Sequence, residues 1–231
     1  MSERSSGVRG RWACASVAVV VGLVTASTAW ADPLSAPGLR DVLRSGDLVL
    51  QQSTSHQAAA IAEASGSPWT HVGIVFERDG DLEVLEAIGP VQWTPLDAWV
   101  ARGVDDAVVA VRVGGADGLD VATVAAVRAA GEAMLGRRYD TVFEWSDDRV
   151  YCSELTFKAF ERGAGLEVGA LVTFADLALD GPAARALIEA RLDADPDGAE
   201  PIVTPGSVLD DADVVVVWPV EPEVANDGID D

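Results

Sequence analysis

An α+β domain built on an antiparallel sheet packed against helices is the fold class the sequence predicts, and three observations carry it. Two apolar runs, residues 70–76 and 82–88, flank Asp79-Gly80, a hairpin signal that makes neighbouring strands antiparallel. Alanine-rich helical stretches stand apart from those strands instead of following each one, as a parallel sheet would require. About 200 residues follow a leader-like N-terminus, enough for one domain with a sizeable core, and no repeat or second block of composition divides them.

The elements follow in order. Residues 1–31 have the layout of a secretory signal, with Arg4, Arg9 and Arg11 as a positive front, an apolar stretch over 13–25 and Ala29-Trp30-Ala31 as a small-x-small cleavage site. The stretch is shorter than the ~20 residues that span a bilayer, so cleavage is expected over anchoring, and with it export to the periplasm or beyond. Cys14 lies in this segment without a lipobox-like run and would leave with it. One domain is expected over 32–220, with an acidic loop at 193–200 and an acidic flexible tail at 221–231.

Within the domain, 39–43 reads as a short helix, and Gly46-Asp47 opens a strand over 48–52. Residues 57–64 read as a helix ending before Gly66 and Pro68. After the hairpin come a strand at 108–113, a long helix at 119–135, and an amphipathic helix at 152–162 that Gly163 closes. Pro182 suits a first helical turn, so 183–192 should be helical, and 214–218 is a last apolar strand.

Charge excludes partners rather than choosing a substrate. The chain carries a net −22, and since residues 1–31 hold three arginines and Glu3, the remainder is two charges more negative, −24. Such a surface repels nucleic acid and anionic lipid headgroups.

The chemistry-bearing residues are few. In the strand at 70–76, His71 shares a side with Gly73 and Val75, while Val72, Ile74 and Phe76 make the other. In the next strand Glu86 lies among Leu82, Val84 and Ile88, a carboxylate in an apolar stripe that is costly without a partner. If Arg78 and Asp81 flank the turn, Gly73 stands opposite Glu86 and His71 opposite Ile88. Glu86 is then the diagonal neighbour of His71, roughly 7–8 Å away at Cα and within side-chain reach across a glycine. The bland alternative is a structural histidine and a solvent-facing glutamate. His56, the other histidine, lies in a Ser/Thr/Gln-rich stretch that reads as solvated.

Past residue 31, Cys152 is the single cysteine, without an intramolecular disulfide partner. It is therefore a buried small hydrophobe or a reactive nucleophile. Its place at a helix start, where free N–H groups and a partial positive charge stabilise a thiolate and can hold an oxyanion, favours the second. Leu155, Ala159 and Phe160 would face the core. A thiolate, a histidine base and a carboxylate that orients the base form the constellation for covalent acyl transfer.

Several short motifs lie in one order along the chain: Gly46-Asp47-Leu48-Val49-Leu50, Ser53-Thr54-Ser55, Thr70-His71-Val72-Gly73-Ile74-Val75-Phe76, Leu85-Glu86-Ala87, Thr94-Pro95-Leu96, Arg138-Tyr139-Asp140 and Tyr151-Cys152-Ser153-Glu154-Leu155. In that combination the sequence resembles the circularly permuted NlpC/P60 papain-like hydrolases of the YiiX/YebB type, from about Gly46 to Gly165 and more weakly to Trp218. The resemblance implies a papain-like fold in which histidine precedes cysteine. By motif it implies Cys152 as nucleophile, His71 as base, Glu86 as the residue that orients it, and Tyr139 as an oxyanion donor beside the Cys152 N–H. For Tyr139 the alternative is a packing aromatic, and for Asp47 the expected role is to brace the turn.

The expected activity is an exported cysteine hydrolase or amidase acting on a small peptide, an amino-acid amide or an acyl substrate, with no metal or organic cofactor needed. The rivals are a lipid acyltransferase or thioesterase of the same fold and a non-catalytic binding module. Trp69 and Trp145 flank the His and Cys motifs and would line a groove or pack in the core.

Overall fold

The computed structural model describes residues 38–192 and 195–219, so the signal expected at 1–31 and the tail expected at 221–231 lie outside the described residues. In chain order the elements are α1 (Leu39–Val42), β1 (Leu48–Ser53), α2 (Ala58–Ser65), β2 (His71–Arg78), β3 (Asp81–Ala87), β4 (Val91–Pro95), α3 (Leu96–Val100), β5 (Gly103–Val113) and α4 (Val121–Glu132). They continue with β6 (Arg138–Tyr139), β7 (Arg149–Val150), α5 (Cys152–Ala164), β8 (Val172–Thr173), α6 (Pro182–Arg191), β9 (Pro201–Ile202), α7 (Pro205–Leu209) and β10 (Val214–Trp218). Six strands make one antiparallel sheet in the order β10-β5-β1-β2-β3-β4, the α+β class expected.

The sheet separates two apolar layers. On one face Leu50, Val72, Ile74, Phe76 and Leu85 pack against α4 and α5 through Val127, Leu155, Ala159 and Phe160. On the other, Val49, Val75, Val84 and Ala110 pack against Leu39 of α1 and Leu96 and Trp99 of α3. The alternation within β2 is thus the period-two split read from sequence, and both sides are buried. Leu155 and Phe160 are fully buried, each worth about 1.5–3 kcal/mol of apolar transfer.

Besides the short additional elements β6 to β9 and α7, three features depart from the sequence reading. The strand β4 and helix α3 are additional, a short edge strand ending in Pro95 that runs directly into one helical turn. Strand β5 begins at Gly103 rather than at 108, running through Asp105 and Asp106, which adopt left-handed backbone at φ 54° and 53°. Helix α5 passes through Gly163 and is closed by Gly165, left-handed at φ 69°. A Cβ on Gly163 would lie 2.5 Å from the Val127 Cα, so that glycine exists to let α4 and α5 touch backbone to backbone.

Asp47 braces the start of β1, as expected. Its carboxylate accepts the Arg44 N–H at 2.8 Å and two hydrogen bonds from Arg112, Nε and Nη2, each at 2.8 Å. Arg112 comes from β5, so this buried pair ties neighbouring strands to the turn at Gly46.

Candidate active site

Turn chemistry puts the first two site residues together. The Asp79-Gly80 turn pairs Arg78 with Asp81, and the register runs on to Ile74 opposite Leu85, so Gly73 faces Glu86. A Cβ on Gly73 would come within 2.4 Å of the Val84 side chain and 3.4 Å of the Glu86 Cβ, so the glycine keeps this face open. His71 reaches diagonally across it, and its Nε2 lies 2.6 Å from Glu86 Oε2.

Glu86 is completely buried, and its remaining capacity is filled. Thr94 Oγ1 donates to Oε1 at 2.5 Å, and Arg102 Nη2 lies 2.7 Å from both oxygens. Burial alone would raise its pKa, but His71, Arg102 and Thr94 outweigh it and hold the carboxyl at about 2. Trp99 stacks on the His71 ring at 5.9 Å between centroids and 25° between planes, which fixes the plane of the imidazole.

Cys152 arrives from the other layer as the first residue of α5. The helix starts there because Tyr151 is extended and Glu154, three residues on, accepts the Tyr151 N–H at 3.2 Å. Two further bonds pin this end: Ser153 Oγ donates to the Val203 carbonyl at 2.8 Å, and the Val203 N–H donates to Tyr151 Oη at 3.2 Å. The thiol is nearly buried, 2% exposed, and stands beside the His71 ring, which lowers its pKa. Because Nε2 is held by Glu86, Nδ1 is the nitrogen left for the sulfur.

The two groups move each other's protons in opposite directions. Burial pushes the thiol up, but the imidazole and the Val72 and Ser153 N–H groups pull it lower overall. Burial pushes the imidazole down, but Cys152 and Glu86 carry it up to about 9. Each group thus favours the charged form of the other, a thiolate beside an imidazolium.

Tyr139 completes the cluster. Its hydroxyl accepts from Gln57 Nε2 at 2.6 Å and feels the nearby Cys152 sulfur. Burial and the adjacent sulfur charge raise the phenol well above 10, so it stays a proton donor. Arg191 Nη1 donates to Gln57 Oε1 at 2.7 Å and to the Thr141 carbonyl at 3.1 Å, which sets which end of the amide faces the tyrosine. Glu63 of α2 accepts the Ala184 N–H of α6 at 2.8 Å, so the two helices are joined near both ends.

All four candidates from the sequence thus lie in one cluster, and sequence reasoning missed Thr94, Trp99 and Arg102 around Glu86 and Gln57 and Arg191 behind Tyr139. Trp69 and Trp145 are packing residues. Trp69 lies against the main core cluster, and Trp145 stands edge-on to Phe157 at 5.5 Å with the Lys158 ammonium 4.7 Å from its ring. His56 is exposed at a cavity rim.

Two cavities flank the cluster. One, of about 720 Å³ counted to its open mouth, is lined by Cys152 and by Ile61, Phe143, Phe174 and Leu187 among others. The second, about 1560 Å³ counted the same way, is lined by His71 and Tyr139 and by polar side chains including Thr70, Arg102 and Arg138. Thr141 and Arg191 border both.

A buried thiol, imidazole and carboxylate in the chain order His, Glu, Cys, with a tyrosine hydroxyl nearby, is a papain-like arrangement with its order reversed. Residues 42–217 match the family described as permuted papain-like amidase enzymes, YaeF/YiiX, C92 family. The chain belongs to this permuted papain-like amidase family. It is a cysteine hydrolase of that kind, acting on small peptide or amide substrates. It is 33% identical over 190 residues to the uncharacterized protein YiiX of Escherichia coli (strain K12), covering 81% of this chain and 93% of that one. It is also similar to the crystal structure of yiiX from Escherichia coli O157:H7, with a TM-score of 0.74 and 34% identity over 78% of this chain and 99% of that one.

That relative is described as a metalloprotein. Among the described residues of this amidase no group of three or more His, Cys, Asp or Glu side chains is gathered as metal ligands. The His71 Nε2 and both oxygens of Glu86 are engaged within the cluster, so the residues here do not fit such a centre.

Proposed function

We propose that the protein is an exported amidase in which Cys152 is the nucleophile, His71 the proton carrier, Glu86 the residue that orients it, and Tyr139 an oxyanion donor. The observation that carries this reading is His71, 2.6 Å from Glu86 through Nε2 and beside the buried Cys152 thiol that it draws toward the thiolate. The thiolate attacks the amide carbonyl, forming the S–C bond. Charge on the carbonyl oxygen is met by the Tyr139 hydroxyl and the Cys152 N–H, an unpaired first-turn amide of α5. The imidazolium gives its proton to the amine nitrogen as the C–N bond breaks. Neutral His71 then takes a proton from water, whose oxygen attacks the acyl-enzyme. The S–C bond breaks, and acid and thiolate are released.

Export rests on the signal-like pattern of residues 1–31 and makes peptides or small amino-acid amides of the cell envelope the substrates in reach. A second reading, transfer of a lipid acyl group to an acceptor other than water, is favoured by the apolar cavity that opens on Cys152. Release of free acid without an acceptor separates hydrolysis from transfer.

The test is alkylation of Cys152 by iodoacetamide across pH, on secreted protein whose N-terminus should read Asp32. Wild type should react at pH 7 as a thiolate. In His71→Ala burial is opposed only by the Val72 and Ser153 N–H groups, so the profile should move up toward the ordinary thiol value of about 8.5, slowing reaction at pH 7 by about tenfold or more. Identical profiles for the two proteins would sink the assignment.

A further inference from the structure

We propose that the cleft bordered by His71 receives an anionic leaving group, a carboxylate or phosphate carried by the amine that Cys152 displaces, with Arg138 and Arg191 as its cationic contacts. This rests on the reading of Cys152 and His71 above and deepens it by naming the substrate class.

Direction comes from the chemistry. When the C–N bond breaks, the proton on His71 passes to the departing nitrogen, so the amine must lie against the imidazole while the acyl group stays on sulfur. His71 lines the polar cleft and not the apolar cavity, and Cys152 lines the apolar cavity and not the cleft. The leaving group therefore belongs in the cleft, and an apolar acyl group belongs beside Cys152.

Charge comes from the lining. The whole chain has 38 acidic residues against 16 lysines and arginines, yet no Asp or Glu lines the cleft, while Arg102, Arg138 and Arg191 do. Arg102 is neutralised by Glu86. Arg138 is exposed and makes no ion pair among the described residues, and the hydrogen bonds of Arg191 go to neutral acceptors, the Gln57 amide and the Thr141 carbonyl. Two positive charges thus border a concave site open to an incoming anion, and guanidinium forks match carboxylate and phosphate oxygens equally well. In this step the S–C bond forms, the C–N bond breaks, and the His71 proton leaves on the neutral amine nitrogen of the group that bears the anion.

The experiment compares three amides of one fatty acid on the mature protein: N-octanoylglycine, N-octanoyl-O-phosphoethanolamine and the neutral N-octanoylglycinamide. In wild type, kcat/KM for at least one anionic amide should exceed that for the neutral one by about tenfold. In Arg138→Gln this ratio should collapse toward one, and in Arg138→Glu it should fall below one. Whichever anion gives the larger wild-type ratio names the source, carboxylate or phosphate. Equal kcat/KM for all three in wild type, no turnover of any, or a ratio that survives both substitutions overturns the proposal. Equal acylation of Cys152 by all three, seen by intact mass, removes only the anionic leaving group. An alkylation profile indifferent to His71 removes the reading beneath it.

Discussion

Replacing Glu86 by glutamine keeps its size and removes its charge, which isolates what the carboxylate does for His71. His71 is protonated up to about 9 because Cys152 and Glu86 outweigh its burial. A raised imidazole pKa means that the stabilising pair is fully present below the ordinary value of 6.5 and is lost as pH rises through 9. In Glu86→Gln the alkaline limb of kcat/KM should therefore move down by at least about one pH unit. An unmoved limb in a folded variant would mean that Glu86 only fills space. The meeting of these two residues was legible in the sequence because a two-residue turn and period two fix their distance. Gln57 and Arg191 were not, since the bond between them spans 134 residues and neither stands in a local pattern. Arg102 was hidden too: its guanidinium reaches Glu86 from beyond α3, a helix the sequence did not reveal.

Among elements, the α4–α5 contact carries the sharpest expectation. Alanine at Gly163 would gain about 1 kcal/mol of helix propensity, yet its Cβ would strike the Val127 backbone, which has no rotamer to yield. The net effect should be a loss of about 1–3 kcal/mol in urea unfolding, as for an overpacked core. At Gly165 a Cβ meets nothing, so Gly165→Ala should cost only its left-handed backbone, about 1 kcal/mol. Equal losses would contradict the assigned roles. From sequence the two glycines are interchangeable as helix stops, and the first was read as the stop; only the neighbouring helix tells them apart. Similarly, β4 ends in a proline and spans five residues, too short and too interrupted to register as a strand by pattern.

For the whole molecule the governing quantity is the net charge of the chain, −22. Its self-repulsion should be relieved by salt, so Tm should rise as sodium chloride goes from about 0.01 M, with a Debye length of ~30 Å, to about 0.15 M, with ~8 Å. Each kcal/mol relieved is worth about 2–4 °C at this size. A falling Tm would show that exposed ion pairs such as Arg185–Asp195 outweigh the repulsion. The buried pairs Arg112–Asp47 and His71–Glu86 are screened little and should not follow salt. At this scale the sequence disclosed the class of fold and its acidity. The two cavities that flank the site were not disclosed, because each is walled by segments far apart in the chain.

Helix α6 has a geometric role beyond its own hydrogen bonds. Through Leu187 and Ile188 it walls the apolar cavity, and through Arg191 it reaches the polar one. A single rigid rod therefore borders both spaces, and neither can be widened along that wall while the other keeps its shape. On the proposed placement of the acyl and leaving groups, a substitution that shifts α6 as a body should change tolerance on both sides of the scissile bond together.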